Sequence, residues 1–381
     1  MLRRRSKARD TIPFASVEQK TMKTIADQFA RALAAAEVRG SHCRTDLRDI
    51  EHSRLVDFLV LAKPRVMLLA VFTALVGLMI APGHLDAFLA SIAILAIAAG
   101  AAAAGVLNMW YDADIDRVMT RTAMRPIPRG TVSPLEALVF GLILAGGGVA
   151  VLGLAVNAKA AALLAFSIFF YVVIYTMWLK RLTPQNIVIG GAAGALPPVI
   201  GWAAATGDIA LEPVILFLIV FLWTPPHFWA LSLNRVDEYA RAGVPMLPVV
   251  AGRYATTRQI VVYSILLIPT STLPWALGFA GTLYGAIAVV SGAIFFVLAW
   301  QLSQTKSFEA DRRAAHRLFV FSISYLFVLF AALLADHSGG RLSSAHPARG
   351  ARLDVGSASA ALTACPVRRE CSASSVKADE V

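Results

Sequence analysis

Asn108, Asp112 and Asp116 recur at every fourth position of the string Asn108-Met-Trp-Tyr-Asp112-Ala-Asp114-Ile-Asp116. At about 100° per helical residue, the three fall within an arc of about 80° on one face. A stripe of oxygen donors suits a hard cation. Mg²⁺ takes one or two carboxylates, keeps several waters and is often completed by phosphate oxygens. A merely solvated acidic helix end would oppose the macrodipole, which favours a metal site. Asp114 lies about 160° from Asp112 and would reach a second ion only if the helix frayed. Arg117, Arg121, Arg125 and Arg129 follow, and their spacing of four would stack them on a helix until Pro126 and Pro128 break it. Carboxylates for Mg²⁺ beside arginines for oxygens is a way to hold a diphosphate. Membrane topology alone also places arginines in such a loop; Arg121 and Arg125 are the two assigned to the diphosphate.

A second group stands later in the chain, in Thr224-Pro-Pro-His227-Phe-Trp-Ala-Leu-Ser-Leu-Asn234-Arg-Val-Asp237-Glu238. On a continuous helix, His227, Asn234 and Glu238 would share a face about 40° wide, with His227 about 10 Å deeper than Asn234. Pro225-Pro226 predicts a kink or broken turn just before the histidine. An ionisable residue at that depth is a functional candidate, although a buried histidine also serves as a structural hydrogen-bond partner. Lys180-Arg181 either faces the diphosphate or simply marks topology.

These residues need elements to position them. The chain has 381 residues, 57% hydrophobic and only 15% charged, which excludes a disordered chain and an ordinary soluble enzyme. Nine apolar stretches occur at about 66–81, 88–107, 135–156, 160–179, 187–205, 213–233, 260–279, 283–301 and 318–335. Each is close to the roughly 20 residues that cross a bilayer as a helix. Continuous apolar runs favour helices over a barrel, which would alternate. The fold class is therefore all-α, a polytopic bundle of nine transmembrane helices.

The net charge of +11 does not indicate nucleic acid, because the basic residues sit in short loops on one side. The short loops of the other side carry only Lys159. The positive-inside rule puts the N-terminus in the cytoplasm and, after nine spans, the C-terminus outside. Residues 1–54 read as a basic, polar, disordered extension, 55–335 as the membrane domain and 336–381 as a disordered tail, and neither end is assigned a catalytic role. Cys43, Cys365 and Cys371 are too few and too peripheral for a disulfide framework. Both acidic groups end an even-numbered span on the basic side and open an arginine-bearing loop. This position suggests a four-helix internal repeat plus a ninth helix, with the two motifs facing each other. The small-residue runs Gly100–Gly105 and Gly190–Ala195 allow close helix approach.

On these residues the chain resembles the UbiA-type intramembrane prenyltransferases, over about residues 55–335. The Asn-x-x-x-Asp-x-x-x-Asp motif carries the resemblance. Lys63-Pro-Arg-Val-Met67, Arg121-Thr-Ala-Met-Arg-Pro126, Leu182-Thr-Pro-Gln-Asn186, Pro225-Pro-His-Phe-Trp229 and Pro245-Met-Leu-Pro248 narrow it to the haem-farnesylating branch. The resemblance implies an enzyme of a bacterial inner membrane that joins farnesyl diphosphate to haem B, with Mg²⁺ as cofactor and haem A synthase downstream. It implies catalytic roles for Asn108, Asp112, Asp116, Arg121 and Arg125. Metal ligation falls to the first three with Asp237 and Glu238, and substrate contacts to Lys180, Arg129, Asn234 and His227, the last toward haem. The second motif departs from the stricter Asp-x-x-x-Asp of other branches, so the choice between Asp237 and Glu238 stays open. A quinone prenyltransferase is the alternative. A transporter would place its charges near the midplane.

Overall fold

The computed structural model describes residues 47–83, 85–305 and 307–344, and among these every regular element is helical. Cys43, Cys365, Cys371, Lys306 and the outer parts of both ends lie outside the described residues. In chain order the helices are α1 Leu47–Leu61, α2 Pro64–Ile80, α3 Ala87–Tyr111, α4 Ala113–Val118, α5 Pro126–Arg129, α6 Pro134–Ala155 and α7 Ala158–Phe169. A π-helical stretch, Phe170–Leu179, continues α7 into the short α8, Lys180–Leu182. Then come α9 Asn186–Ala195, α10 Pro197–Thr206, α11 Leu211–Leu233, α12 Val236–Arg241, α13 Leu247–Val250, α14 Gly252–Ala276, α15 Thr282–Gln304 and α16 Phe308–Ser344.

Eight helical spans among the described residues are long and apolar enough to cross a membrane. A ninth arises if α1 and α2 count as one span bent by 49°. These are the nine stretches expected. Large apolar side chains face outward, including Val66, Phe88, Leu95 and Leu154, as on a surface that lies in a bilayer. The chain is an integral membrane protein.

The fifth span, Asn186–Thr206, is 78% buried, against 28% for Pro134–Ala155, so it forms the axis of the bundle. Its α10 half crosses α2 at glycines. A Cβ on Gly201 would run into the Ala74 carbonyl, and one on Gly77 into that of Pro198. One apolar cluster joins α2 to α3, α7 and α10, and another joins α2 to α11 and α14–α16, so α2 is shared by both halves.

The two loops that carry the motifs share one pattern of short helices. Span two is followed by a six-residue helix, α4, a four-residue helix, α5, and the next span. Span six is followed by a six-residue helix, α12, a four-residue helix, α13, and the next span.

The ends differ from the sequence expectation. Helix α1 begins at Leu47, inside the stretch read as a disordered extension, and α16 runs to Ser344, past the boundary placed at Ala335. The error at the first end has a physical cause. Helix α1 is tied to the body by ion pairs from Arg54 to Glu136 and from Asp57 to Arg129, which residue spacing does not reveal. Every polar contact of the site described below falls between Arg54 and Ser322. Removing residues 1–46 and 345–381 is therefore expected to leave product formation within about twofold, since substitutions away from such contacts usually stay within about 0.5 kcal/mol. Loss of activity in a truncated protein that still inserts would show that an end carries a site contact.

Candidate active site

The acidic stripe sits where α3 meets α4. Two backbone bonds bridge the junction, from Asp112 N to Asn108 O (2.9 Å) and from Asp116 N to Asp112 O (2.8 Å), while Asp112 itself leaves the helical region at ψ 7°. The two bonds keep a four-residue register across the change of helix, and Asn108 Nδ2 donates to Asp112 Oδ2 within it. All are buried, with Asp112 only 1% exposed.

Cations close around the stripe from three elements. Lys63 Nζ donates to Asn108 Oδ1 (3.1 Å) from the break between α1 and α2. Lys63 is the only non-glycine residue with positive φ among those described, at 51°. Pro64 behind it disfavours the ordinary helical conformation. Lys180 pairs with Asp112 Oδ2, which also accepts from Asn108 Nδ2 (2.7 Å). Arg125 Nη1 meets Asp116 Oδ2 at 2.6 Å. Arg181 grips Asp114 with two bonds, 2.7 and 2.8 Å, and stacks over the Tyr111 ring. Partial burial works against ionisation of Asp114, but the Arg181 guanidinium outweighs it and holds the carboxyl below the usual range.

The π-helical stretch sets the far wall. Thr176, fully buried, donates to Tyr171 O (2.8 Å), five residues back, and accepts from Asn108 Nδ2 (3.1 Å). The widened turn also pairs the Tyr171 and Tyr175 rings, 5.3 Å apart. π-Helical turns inside spans commonly mark functional positions. Gly190 of α9 makes room, since a Cβ there would strike the Tyr175 ring.

Arg121 does not join this site. Helix α4 ends at Val118, and 119–125 is a chain of turns, so the helical spacing that would have stacked Arg117, Arg121 and Arg125 is lost. Arg121 stands exposed, while Arg125 caps α5 and turns onto Asp116. Arg129, at the other end of α5, is held by Asp57 at 2.8 Å, away from the stripe.

The shared face expected for His227, Asn234 and Glu238 is also lost. Helix α11 ends at Leu233, and Arg235 adopts φ −139°, so α12 starts in a new direction. Asn234 Nδ2 donates to Arg312 O (3.3 Å), toward the start of α16. Asp237 is exposed, whereas Glu238 pairs with Arg235 at 3.1 Å and keeps Oε2 buried without a hydrogen bond. The two motif loops nevertheless meet. Ile115 and Met119 share a buried cluster with Val244 and Met246, against which Tyr175 and Tyr239 pack.

The helix carrying His227 runs through Pro225-Pro226 as one element, α11, rather than breaking. His227 Nδ1 lies 2.7 Å from Ser322 Oγ on α16. Trp223 and Phe319 stack on its ring at 4.3 and 4.8 Å. Ser322 has one hydroxyl proton and gives it to Phe319 O (2.6 Å). With the hydroxyl proton so placed, Nδ1 is the donor of the imidazole and Nε2 keeps the lone pair.

The donor set can be tested for a cation. Asp112 Oδ1 and Glu238 Oε2 are buried carboxylate oxygens that accept no hydrogen bond, and such atoms are costly unless something completes them. No three His, Cys, Asp or Glu side chains among the described residues converge as a self-sufficient metal cage. The fit to a cation rests on the two unpaired carboxylate oxygens, since Mg²⁺ takes few carboxylates and relies on waters and phosphate oxygens.

The model of the UbiA prenyltransferase family matches residues 70–324. The chain belongs to the UbiA prenyltransferase family. A protoheme IX farnesyltransferase of Azorhizobium caulinodans is 61% identical over 280 residues, 74% of this chain and 91% of that protein. The protein of the same name from Brucella anthropi is 59% identical over 280 residues, 74% and 90%. Among solved structures, a digeranylgeranylglyceryl phosphate synthase superposes with TM-score 0.63 at 21% identity, covering 75% of this chain and 99% of that one. A UbiA homologue of Archaeoglobus fulgidus bound to DMAPP and Mg²⁺ does so with TM-score 0.55 at 16% identity, covering 72% and 99%. At those identities the structures establish the fold. In this UbiA-family chain, Lys63 and Thr176 are the site residues that spacing did not single out. Thr176 is a single hydroxyl inside an apolar run, and Lys63 stands with Arg65 at the start of one.

Proposed function

We propose that the chain transfers the farnesyl group of farnesyl diphosphate to a vinyl group of haem B, with addition of water, giving haem O. One observation carries the site assignment: a buried acidic stripe closed by Lys63, Lys180 and Arg125, with one Asp112 oxygen left without a donor. The names of relatives about 60% identical support haem as the acceptor.

In this reading Asn108, Asp112 and Asp116 would hold Mg²⁺ at the first motif, and Glu238, rather than the exposed Asp237, would be the acidic group that the second motif offers to the diphosphate and its metal. When bound, Mg²⁺ supplies Lewis-acid neutralisation of the diphosphate. The remaining work belongs to the protein. Lys180, Lys63 and Arg125 meet the charge that grows on the departing oxygens. Arg181 stays with Asp114 and orients the loop. The bond from farnesyl C1 to oxygen breaks, and C1 bonds to the terminal vinyl carbon. The Tyr171 and Tyr175 ring faces stabilise the allylic charge meanwhile. Water then adds at the inner vinyl carbon and loses a proton, leaving a hydroxyethylfarnesyl group. His227, with Nε2 free to accept or ligate, orients haem.

The setting is a bacterial inner membrane, with the motif loops and N-terminus in the cytoplasm and the C-terminus outside. Haem O is then a substrate for a haem A synthase.

The test is mass spectrometry of haems from a host lacking its own haem farnesylation, with and without this chain. A gain of hydroxyethylfarnesyl mass on haem is expected. Absence of that product from a correctly inserted protein, or prenylation of a different ring acceptor alone, would overturn the reading.

A further inference from the structure

We propose that Asp57 on the juxtamembrane helix α1 is a positioning residue for Arg125, acting through Arg129 and the one-turn helix α5. The inference rests on the diphosphate reading of the stripe and adds α1 to the catalytic apparatus.

Helix α1 has two distinct faces. Leu55, Val56, Leu59 and Val60 are each 47–64% exposed, and at about 100° per residue they occupy one arc of about 140°. Arg54, Asp57, Phe58 and Leu61 occupy the opposite arc. That outer arc is apolar, and a 49° bend separates α1 from α2. Its inner face is committed to the protein. Asp57 is only 6% exposed, and Arg129 Nη2 donates to its Oδ1 at 2.8 Å. A carboxylate that buried requires such a partner.

Helix α5 transmits this anchor. Pro126 and Pro128 fix two of its four backbone φ angles. Arg129 N bonds Arg125 O at 2.9 Å, and Gly130, at φ 83°, closes the turn. Arg125 and Arg129 are thus the two ends of one stiff turn. Between them Ile127, 2% exposed, lies in a cluster with Leu61, and Phe58 packs against it. Asp57 grips one end of the turn, α1 side chains seat its middle, and the other end puts Arg125 Nη1 2.6 Å from Asp116 Oδ2. Asp57 itself touches no residue of the stripe. Its effect is to fix where Arg125 stands along it.

The test uses the full chain in lipid nanodiscs. Asp57→Asn, Asp57→Glu and the charge-reversed pair Asp57→Arg with Arg129→Asp are compared with wild type. The measurements are KM for farnesyl diphosphate, KM for haem B, kcat, thermal midpoint, and direct binding of inorganic diphosphate in Mg²⁺. Asp57→Asn is expected to raise KM for farnesyl diphosphate and weaken diphosphate binding by about tenfold or more, with KM for haem unchanged. Asp57→Glu should recover most of the loss. If Asp57→Asn does not insert, the reversed pair decides, by restoring or failing to restore diphosphate affinity. Unchanged diphosphate affinity in Asp57→Asn would overturn the proposal. So would an equal rise in both KM values with a fallen midpoint, which is a structural effect alone. A wild type that makes no haem product would instead remove the reading of function, while the diphosphate titration would still report on Asp57.

Discussion

Asp112→Asn is expected to cut turnover by about a thousandfold or more, because it strikes both the metal and the leaving group. Asp112 is 1% exposed. Its Oδ2 takes Lys180 and Asn108, while Oδ1 has no hydrogen bond and Arg181 Nη2 stands 3.8 Å from it. Asparagine keeps the shape but removes the charge and replaces one acceptor with a donor. Lys180 then faces a neutral amide. Breaking an isolated buried pair costs about 3–5 kcal/mol. The cost here is smaller, because Lys180 keeps some access to water and Asp116 and Asp114 stand nearby with their own cations. The protein should therefore still insert, with a lower thermal midpoint. Chelation of Mg²⁺ in the wild type should reproduce the kinetic loss without the stability loss. The check pairs haem product yield with Mg²⁺-dependent binding of inorganic diphosphate. Near-normal product from Asp112→Asn in saturating Mg²⁺ would sink the assignment of the stripe. Asp116→Asn should follow the same pattern and also release Arg125.

The contrast between the two motifs explains what was legible in the sequence. The spans were readable because lipid requires continuous apolar helices, and the nine stretches match eight helical spans and one bent pair. The first motif was readable because i to i+4 bonds link Asn108 to Asp112 and Asp112 to Asp116, so spacing still described the register there. The second motif has comparable residues, but its bonds shorten at Asn234 and Arg235 to i to i+3 partners, Leu231 and Ser232. The direction of the chain then changes, and spacing no longer says what shares a face. Arg121 failed for the same reason in the turns before α5. Thr176 was hidden differently: its contact to Asn108 depends on a π register, which apolar periodicity does not encode. Asp57 and Arg54 look like ordinary surface charges until their long-range partners, Arg129 and Glu136, are seen. Between Asp237 and Glu238, only burial separates the two, and burial of adjacent acids in a loop has no sequence signature.

His227→Gln is expected to weaken haem binding by on the order of a hundredfold while leaving diphosphate affinity unchanged, if Nε2 is the atom that meets haem. The surroundings favour this. The imidazole faces are engaged by Trp223 and Phe319, and Nδ1 is spent on Ser322, so the edge bearing Nε2 is what remains for a ligand. A Ser322 hydroxyl that donates to Phe319 O selects the tautomer with a lone pair there, the arrangement that outer partners impose on ligating histidines. Ser322→Ala should therefore weaken haem binding by about tenfold, through loss of orientation rather than loss of the ligand. The purified protein is titrated with haem B, followed by its absorption band, and separately with farnesyl diphosphate in Mg²⁺. His227 faces α16, and Asp112 faces Lys180 at the end of span four, so damage at one should not reach the other. Loss of both affinities in His227→Gln would mark the residue as structural, as would retention of both. Loss of diphosphate affinity alone would mean that His227 serves the opposite end of the reaction. A hundredfold loss for haem in His227→Gln, a smaller one in Ser322→Ala and none for diphosphate in either would leave only direct contact through Nε2, oriented from α16.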